Sequence, residues 1–382
     1  MNDPFFERSE WGDEKDIPKR PWIVPGYLLR GCVTIVGGPG GAGKSSLMIG
    51  WCASLALGRQ FNHFCPPASR KVLFYNVEDD LDEQQRRLSA ALRQFSCVTR
   101  DLSRNLLALC PREIGTLLDF ESNRCTWQPT AAMQRLEEHI CLFCPDVLIL
   151  DPLVELHNTE ENAQTAMRAV VAYFRALAQR YNMAVVILHH TRKDSAEGAG
   201  NPDIVRGASA TIAAARIAFT ALPMSEKEAE NLQIQNGMRR SCFRVDPAKT
   251  NYAPAHAAEW FQLAEYTLDN TELVAAAIPW QPPDDHSLDT SEQDRLHEIV
   301  AKGINGEPYS PELGRRDRSV SFAFEEAGIR TRKGQQDMLS KLLRNGFAKA
   351  RFRAKGRHQR WGLMTLDGRP NVDWISEDET KH

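Results

Sequence analysis

The run Gly38, Pro39, Gly40, Gly41, Ala42, Gly43, Lys44, Ser45, Ser46 has the residue types needed to hold a triphosphate. Gly38, Gly43, Lys44 and Ser45 fit G-x-x-x-x-G-K-[ST] at the right spacing. Glycines let backbone N–H groups close around a phosphate where a Cβ would stand in the way. The start of the following helix adds partial positive charge at the same place. Lys44 is then positioned to reach the β- and γ-phosphates and the Ser45 hydroxyl to complete a Mg²⁺ shell, so ATP and Mg²⁺ are the expected ligands.

Asp151 ends the apolar run DVLILD and is expected to face that Mg²⁺; a plain strand-ending aspartate is the alternative. Hydrolysis also needs a group that orients water near the γ-phosphate. Glu78, at the tip of KVLFYNVE, is the candidate and Asp79 the substitute, because Asp80 and Glu83 read as a capping box for the next helix. His189 and His190 end the run MAVVILHH. Either one of them senses the γ-phosphate or both satisfy backbone groups. Arg192 and Lys193 open a glycine- and alanine-rich loop that would touch nucleic acid or simply be solvated. Arg206 and Lys249 are candidates for acting on a neighbouring subunit's nucleotide, and for both the reading as surface charges stays open.

These residues fall where strands should end. GCVTIV, KVLFYNV, DVLILD and MAVVILHH read as buried strands. SSLMIGWCASLALG, LDEQQRRLSAALRQF, TAAMQRLEEHICLF and ENAQTAMRAVVAYFRALAQRYN read as helices between them. The alternation predicts an α/β fold, a mainly parallel sheet flanked by helices, with ligands at the carboxyl ends of the strands. AARIAFTAL, SCFRVDPAK and AEWFQLAEY are expected as antiparallel strands at the sheet's far edge. IPKRPWIVPGYLL reads as an extended strap packing near the nucleotide base, and residues 97–128 show no clear period.

With 382 residues, 42% hydrophobic and 25% charged, the chain has the make-up of a soluble protein with one large domain and a smaller one. No apolar run reaches the length of a membrane span, and the polar start MNDPFFERSEWGDEKD is no signal peptide, so a cytoplasmic protein is expected. Nine cysteines, an odd count scattered through apolar runs, suit reduced thiols. The single C-x-x-C, Cys141 and Cys144, has no partner pair for a metal site.

The net charge of −3 hides a basic stretch between Arg315 and Arg360. QDRLHEIVAKG, a piece near PELGRRDRS, SFAFEEAG and GQQDMLSKLLRNG read as short helices, and FAKARFRAKGRHQRWGLMT as a β-hairpin turning at Lys355. Helices followed by a hairpin suggest a winged helix. Lys341 and Arg344 would lie on a recognition helix, and Arg351, Arg353, Lys355 and Arg357 on the wing. Nucleic acid is the expected partner and protein contact the alternative. The predicted organisation is an arm over 1–24, an ATPase domain over 25–278, a Pro/Asp-rich linker over 279–290, the winged-helix-like module over 291–366 and a disordered tail over 367–382.

The pieces GGPGGAGKSS, FYNVEDD, LILDPL with HNTEEN, VVILHHTRK, VRGASA with ARIAF, and AKTNYAP with EWF occur in one order over roughly residues 25–265. Together they resemble a RecA-like, AAA-type P-loop ATPase core, and more narrowly the hexameric replicative helicases of the RepA plasmid group. The resemblance implies a homohexameric ring with ATP between neighbours and single-stranded DNA in its channel. It makes Glu78 the catalytic glutamate, Asp151 the Walker B acid, His190 the sensor with His189 beside it, Arg206 the finger in trans and 191–205 the channel loop. The simple plasmid helicases end soon after the core, whereas this chain continues for over a hundred residues. That module would hold duplex DNA or a replication protein. The functional expectation is a DNA helicase or translocase of a plasmid, phage or other mobile element. The rival is an ATP-switched DNA-binding regulator that never separates strands.

Overall fold

Runs of valine, isoleucine and leucine without polar interruption form strands covered on both faces. In the computed structural model, nine strands, of this kind at the sheet's centre, make the main sheet among the described residues: β1 (Val33–Pro39), β2 (Val72–Asn76), β3 (Leu106–Leu109), β4 (Val147–Asp151), β5 (Ala184–Thr191), β6 (Ile217–Pro223), β7 (Cys242–Thr250), β8 (Glu259–Thr267) and β9 (Leu273–Pro279). The described residues are 12–111, 115–121, 126–158, 164–191, 209–232, 234–252, 257–282, 290–314, 317–329, 332–344, 346–354 and 358–375. The spatial order is β3-β2-β4-β5-β1-β6-β7-β8-β9. From β3 to β6 every pairing is parallel; from β6 to β9 every pairing is antiparallel. This is the expected α/β fold with a mixed, mainly parallel sheet.

Alternation along the strands sorts the core into two layers. Val36, Phe74, Ile149 and Val186 pack with α1 (Lys44–Leu57) and α2 (Leu81–Arg93). Ile35, Leu73, Leu148 and Val185 pack on the opposite face with α3 (Ala131–Phe143) and α4 (Gln164–Arg180). Thr130 caps α3 by accepting from the Met133 N–H at 3.3 Å, and Asp80 caps α2 by accepting from the Glu83 N–H at 2.7 Å. The capping box at α2 is only half made, because the Glu83 carboxylate holds Arg87 at 2.8 Å and Arg86 at 3.4 Å.

The structure corrects several expectations. β6 is not an edge strand: it runs parallel beside β1, and the antiparallel extension begins only at β7. The unpatterned 97–128 region holds the edge strand β3 and a hairpin of Leu118–Glu121 with Thr126–Pro129. The strap belongs to the core, since Trp22–Val24 pairs with Leu28–Leu29 and Tyr27 stacks on Phe219 and meets Trp51 and Phe64 edge-on. The arm expected over 1–24 therefore ends inside a packed hairpin.

The chain divides into two units, Met1–Glu226 with Gln235–Gln281, and Lys227–Ile234 with Pro282–His382. The second contains α5 (Thr290–Lys302), α6 (Ser321–Glu326), α7 (Arg332–Arg344) and a small antiparallel sheet. In that sheet β10 (Phe347–Arg353) lies between β11 (Gln359–Thr365) and β12 (Trp374–Ile375). Leu296, Val300, Phe324, Met338, Leu342 and Phe347 form its core. The described part of PELGRRDRS forms no helix. The tail expected to be disordered supplies β12, because the Trp374 indole N–H bonds to the Gly368 and Pro370 carbonyls at 3.0 and 3.1 Å and Ile375 is buried. Among the described residues no helix is long and apolar enough to cross a membrane.

Candidate active site

The carboxyl ends of β1, β2, β4 and β5 bring the candidate groups together, because parallel pairing aligns Gly38 with His190 and Asn76 with Asp151. The phosphate-type loop leaves β1 and enters α1. Gly41 and Gly43 have φ of +75° and +80°, a region where other residues are strained. A Cβ on Gly38 would lie 2.1 Å from the Ala221 carbonyl oxygen, whereas one on Gly40 meets nothing within 4 Å. Gly38→Ala is expected to cost about 2–3 kcal/mol of stability by wedging β1 from β6. Gly40→Ala should melt within a degree or two of the wild type, and thermal denaturation compares the two.

Lys44 is only 4% exposed. Its Nζ donates to the Gly38 and Pro39 carbonyls at 2.8 and 2.9 Å and lies 3.2 Å from His190 Nδ1. Burial pulls its pKa down to about 8 against the attraction of Asp151 and Glu78. His190 Nε2 lies 3.5 Å from Glu78 Oε1, so this imidazole stands between the lysine and the glutamate. With Lys44 charged, Nδ1 must accept and Nε2 carries the proton toward Glu78. Burial and then the Lys44 charge lower the pKa of His190, which keeps the ring neutral.

Asp151 is fully buried. Its Oδ2 accepts from Asn76 Nδ2 at 3.3 Å. Its Oδ1 makes no hydrogen bond, although the Ser45 hydroxyl lies near enough to favour the ionised form. Burial pushes the carboxyl up to about 7; Ser45 and Lys44 oppose the rise, and Glu78 and Asp79 add to it. A buried oxygen short of a partner, beside a serine hydroxyl, fits a hard divalent cation. Ser45 and Asp151 would hold Mg²⁺ here, and the bound ion would neutralise phosphate charge.

The raised carboxyl has a consequence for stability. Asp151 binds its proton more tightly folded than unfolded, so its contribution falls as pH rises from about 4 toward 7. Asp151→Asn should therefore melt higher than the wild type at pH 8 without metal or nucleotide, with the gap narrower but still open at pH 6. Paired thermal melts at the two pH values check the sign.

Glu78 and Asp79 separate clearly. Asp79 is tied to Arg87 at 3.0 Å, and its N–H donates to Asn76 Oδ1 at 2.7 Å. Glu78 keeps a half-exposed carboxylate facing His190. Asn76 escaped the sequence reading: it is buried, ends β2, and braces both Asp151 and Asp79. A polar residue closing an apolar strand two positions before the acids was the available signal. His189 is buried in β5, one residue short of the Lys44–Glu78 gap that His190 fills.

Lys249 lies within its own subunit against the helix Ser209–Ala214, donating to the Ala213 and Ile212 carbonyls at 2.7 and 3.4 Å. Arg192, Lys193, Arg206, Lys355 and Arg357 lie outside the described residues. In the second unit Lys341, Arg344 and Arg353 are exposed and Arg351 is half-buried. Arg353 pairs with Asp373 at 3.3 Å, and the Arg351 guanidinium sits 5.0 Å over the half-exposed Trp361 ring. Cys141 and Cys144 are exposed free thiols, and no group of metal-ligating side chains is found among the described residues.

A glycine loop between strand and helix, a buried aspartate two strands away and one strand interposed between them define a P-loop ATPase of the α/β class. The chain belongs to the AAA_25 family: the model for that family, an AAA domain, matches residues 4–196 of the 382.

Proposed function

We propose that this ATPase is a ring-forming, Mg²⁺- and ATP-dependent motor on single-stranded DNA, a helicase or translocase of a mobile genetic element, working as a homohexamer in the cytoplasm. The observation that carries the reading is the Lys44–His190–Glu78 chain. All three donors of the Lys44 ammonium point at Gly38, Pro39 and His190. A γ-phosphate that takes one of them from His190 frees the imidazole to follow Glu78. The residue at the end of β5 then reports the nucleotide state to the segment that follows, 192–208. Glu78 orients the attacking water, Lys44 stabilises the transferred charge, and Arg206 from a neighbouring copy adds a second cation.

The second unit supports a DNA role by composition. We read its three helices and antiparallel sheet as a winged helix, with Lys341 and Arg344 on α7 and Arg351, Arg353 and Trp361 on the hairpin presented to duplex DNA. Protein mass measured with Mg-ATP, with and without oligothymidylate, should give a ring whose ATP turnover rises when the oligonucleotide is added, together with displacement of a labelled strand. Sequence-specific duplex binding with no strand displacement would select the regulator instead. A monomer under all conditions would leave only the ATPase.

A further inference from the structure

The face of the sheet under α4 carries a charged feature that the nucleotide site does not use. Arg168 and Arg175 on α4 and Arg216, just before β6, line a cleft of about 560 Å³ with Ala169, Ala172 and Ala213. Among the described residues no carboxylate lines it. Among the described residues, none of the three guanidinium groups has an ion pair or a side-chain hydrogen bond. Elsewhere in the same unit Arg86, Arg87, Arg93, Arg135 and Arg180 each hold an acid. Lys249 adds a fourth cation nearby, bonded to the Ala213 and Ile212 carbonyls and feeling the Arg216 charge. Cys32 lies within the field of both Arg175 and Arg216, which places those two charges on one locality.

Cations gathered with no acid among the described residues make a positive patch that attracts an anion. The spacing says which anion. Arg168 and Arg175 are seven residues apart, two turns on one helix face and about 10 Å along the axis. Two guanidinium groups so placed reach two phosphates of one extended strand, each in the planar, two-pronged geometry that phosphate oxygens accept. Alanines between them let the strand lie close to the helix backbone. The cleft has room for the backbone of one strand.

We propose that the Arg168–Arg175–Arg216 cleft binds the phosphodiester backbone of single-stranded nucleic acid. This rests on the motor reading above but names a contact in the ATPase unit separate from the 192–193 loop residues and from the C-terminal module.

The test uses the full chain with Mg-ATP and a fluorescein-labelled oligothymidylate, followed by anisotropy across a salt series. The variant is Arg168→Gln/Arg175→Gln/Arg216→Gln, which removes the charge and keeps a polar side chain; Arg135→Gln is the control. The triple variant should bind at least about tenfold more weakly. Its slope of log affinity against log salt should fall by about 2, the value for three phosphate contacts on a single strand. The variant's mass, melting temperature and fluorescent-nucleotide binding should match the wild type. Unchanged affinity and slope in the variant, with the wild type binding normally, overturn the cleft and leave the motor reading standing. No binding by the wild type overturns both. A variant whose mass falls, with ATP turnover lost before any oligonucleotide is added, shows the cleft to grip an acidic surface of a second copy and overturns the nucleic-acid assignment.

Discussion

Replacing Lys44 by alanine is expected to lower ATP turnover by about 10³-fold or more, the scale for removing one fixed charge aimed at a developing anion. Among the described residues the side chain has no substitute in the pocket. His190 is held neutral by burial and by the lysine itself, and Asp151, Glu78 and Asp79 are the wrong sign. The fold should survive, because the lysine is a buried cation whose pKa has already been drawn down to about 8, and deleting it removes a desolvation cost along with its hydrogen bonds. Asp151 then loses an attractive charge and its carboxyl rises further, so residual Mg²⁺ binding should demand a higher pH than in the wild type. Steady-state phosphate release and a metal titration at pH 6.5 and 8 measure both effects. Turnover within tenfold of the wild type would remove this loop from the chemistry.

The chemistry was legible because it depends on local spacing. A lysine six residues beyond Gly38 can be read off the chain, and an aspartate closing DVLILD needs only its own strand. What the chain does not print is which strands become neighbours. AARIAF looks like any half-buried strand, and only the packing puts β6 beside β1, where its Ala221 carbonyl leaves no room for a side chain on Gly38. LVAAAIP, alanine-rich and proline-ended, carries no strand signal of its own, yet it is β9, paired with β8 over its whole length. Trp374 and Ile375 sit in a polar tail and gain order from β10 beside them and from the Gly368 and Pro370 carbonyls. Asn76 shows the same limit inside the site: its value comes from the register that sets it opposite Asp151, a relation between residues 75 positions apart. The unpaired state of Arg168, Arg175 and Arg216 is likewise invisible along the chain, where acids such as Glu137 and Glu138 are plentiful and only the fold assigns them to other arginines.

Replacing Glu78 by glutamine should leave nucleotide binding close to normal while cutting turnover by about 10²–10⁴-fold, the range for a positioned base or water-orienting group. The change is isosteric, and Glu78 is half-exposed, so little packing is at stake. Asp79 cannot take over, because Arg87 and the Asn76 side chain already fix it. A merely structural glutamate at the start of α2 would shift the melting temperature and spare the rate; a catalytic one does the reverse. His190→Asn separates the two tasks of the bridge. It removes the Nε2 contact to Glu78, while the amide oxygen can still accept from Lys44 where Nδ1 did, so alone it should slow hydrolysis less than the Glu78 change. Added to Glu78→Gln it should cost little more, since a sensor has nothing left to position. Additive losses in that double-mutant cycle would mean that His190 acts on the phosphate by itself. Mixing Glu78→Gln with Arg206→Ala then asks whether base and finger belong to different copies. Activity should return at intermediate ratios, where a boundary can hold an intact Glu78 from one subunit and an intact Arg206 from the next, and its absence at every ratio would place both groups in a single chain.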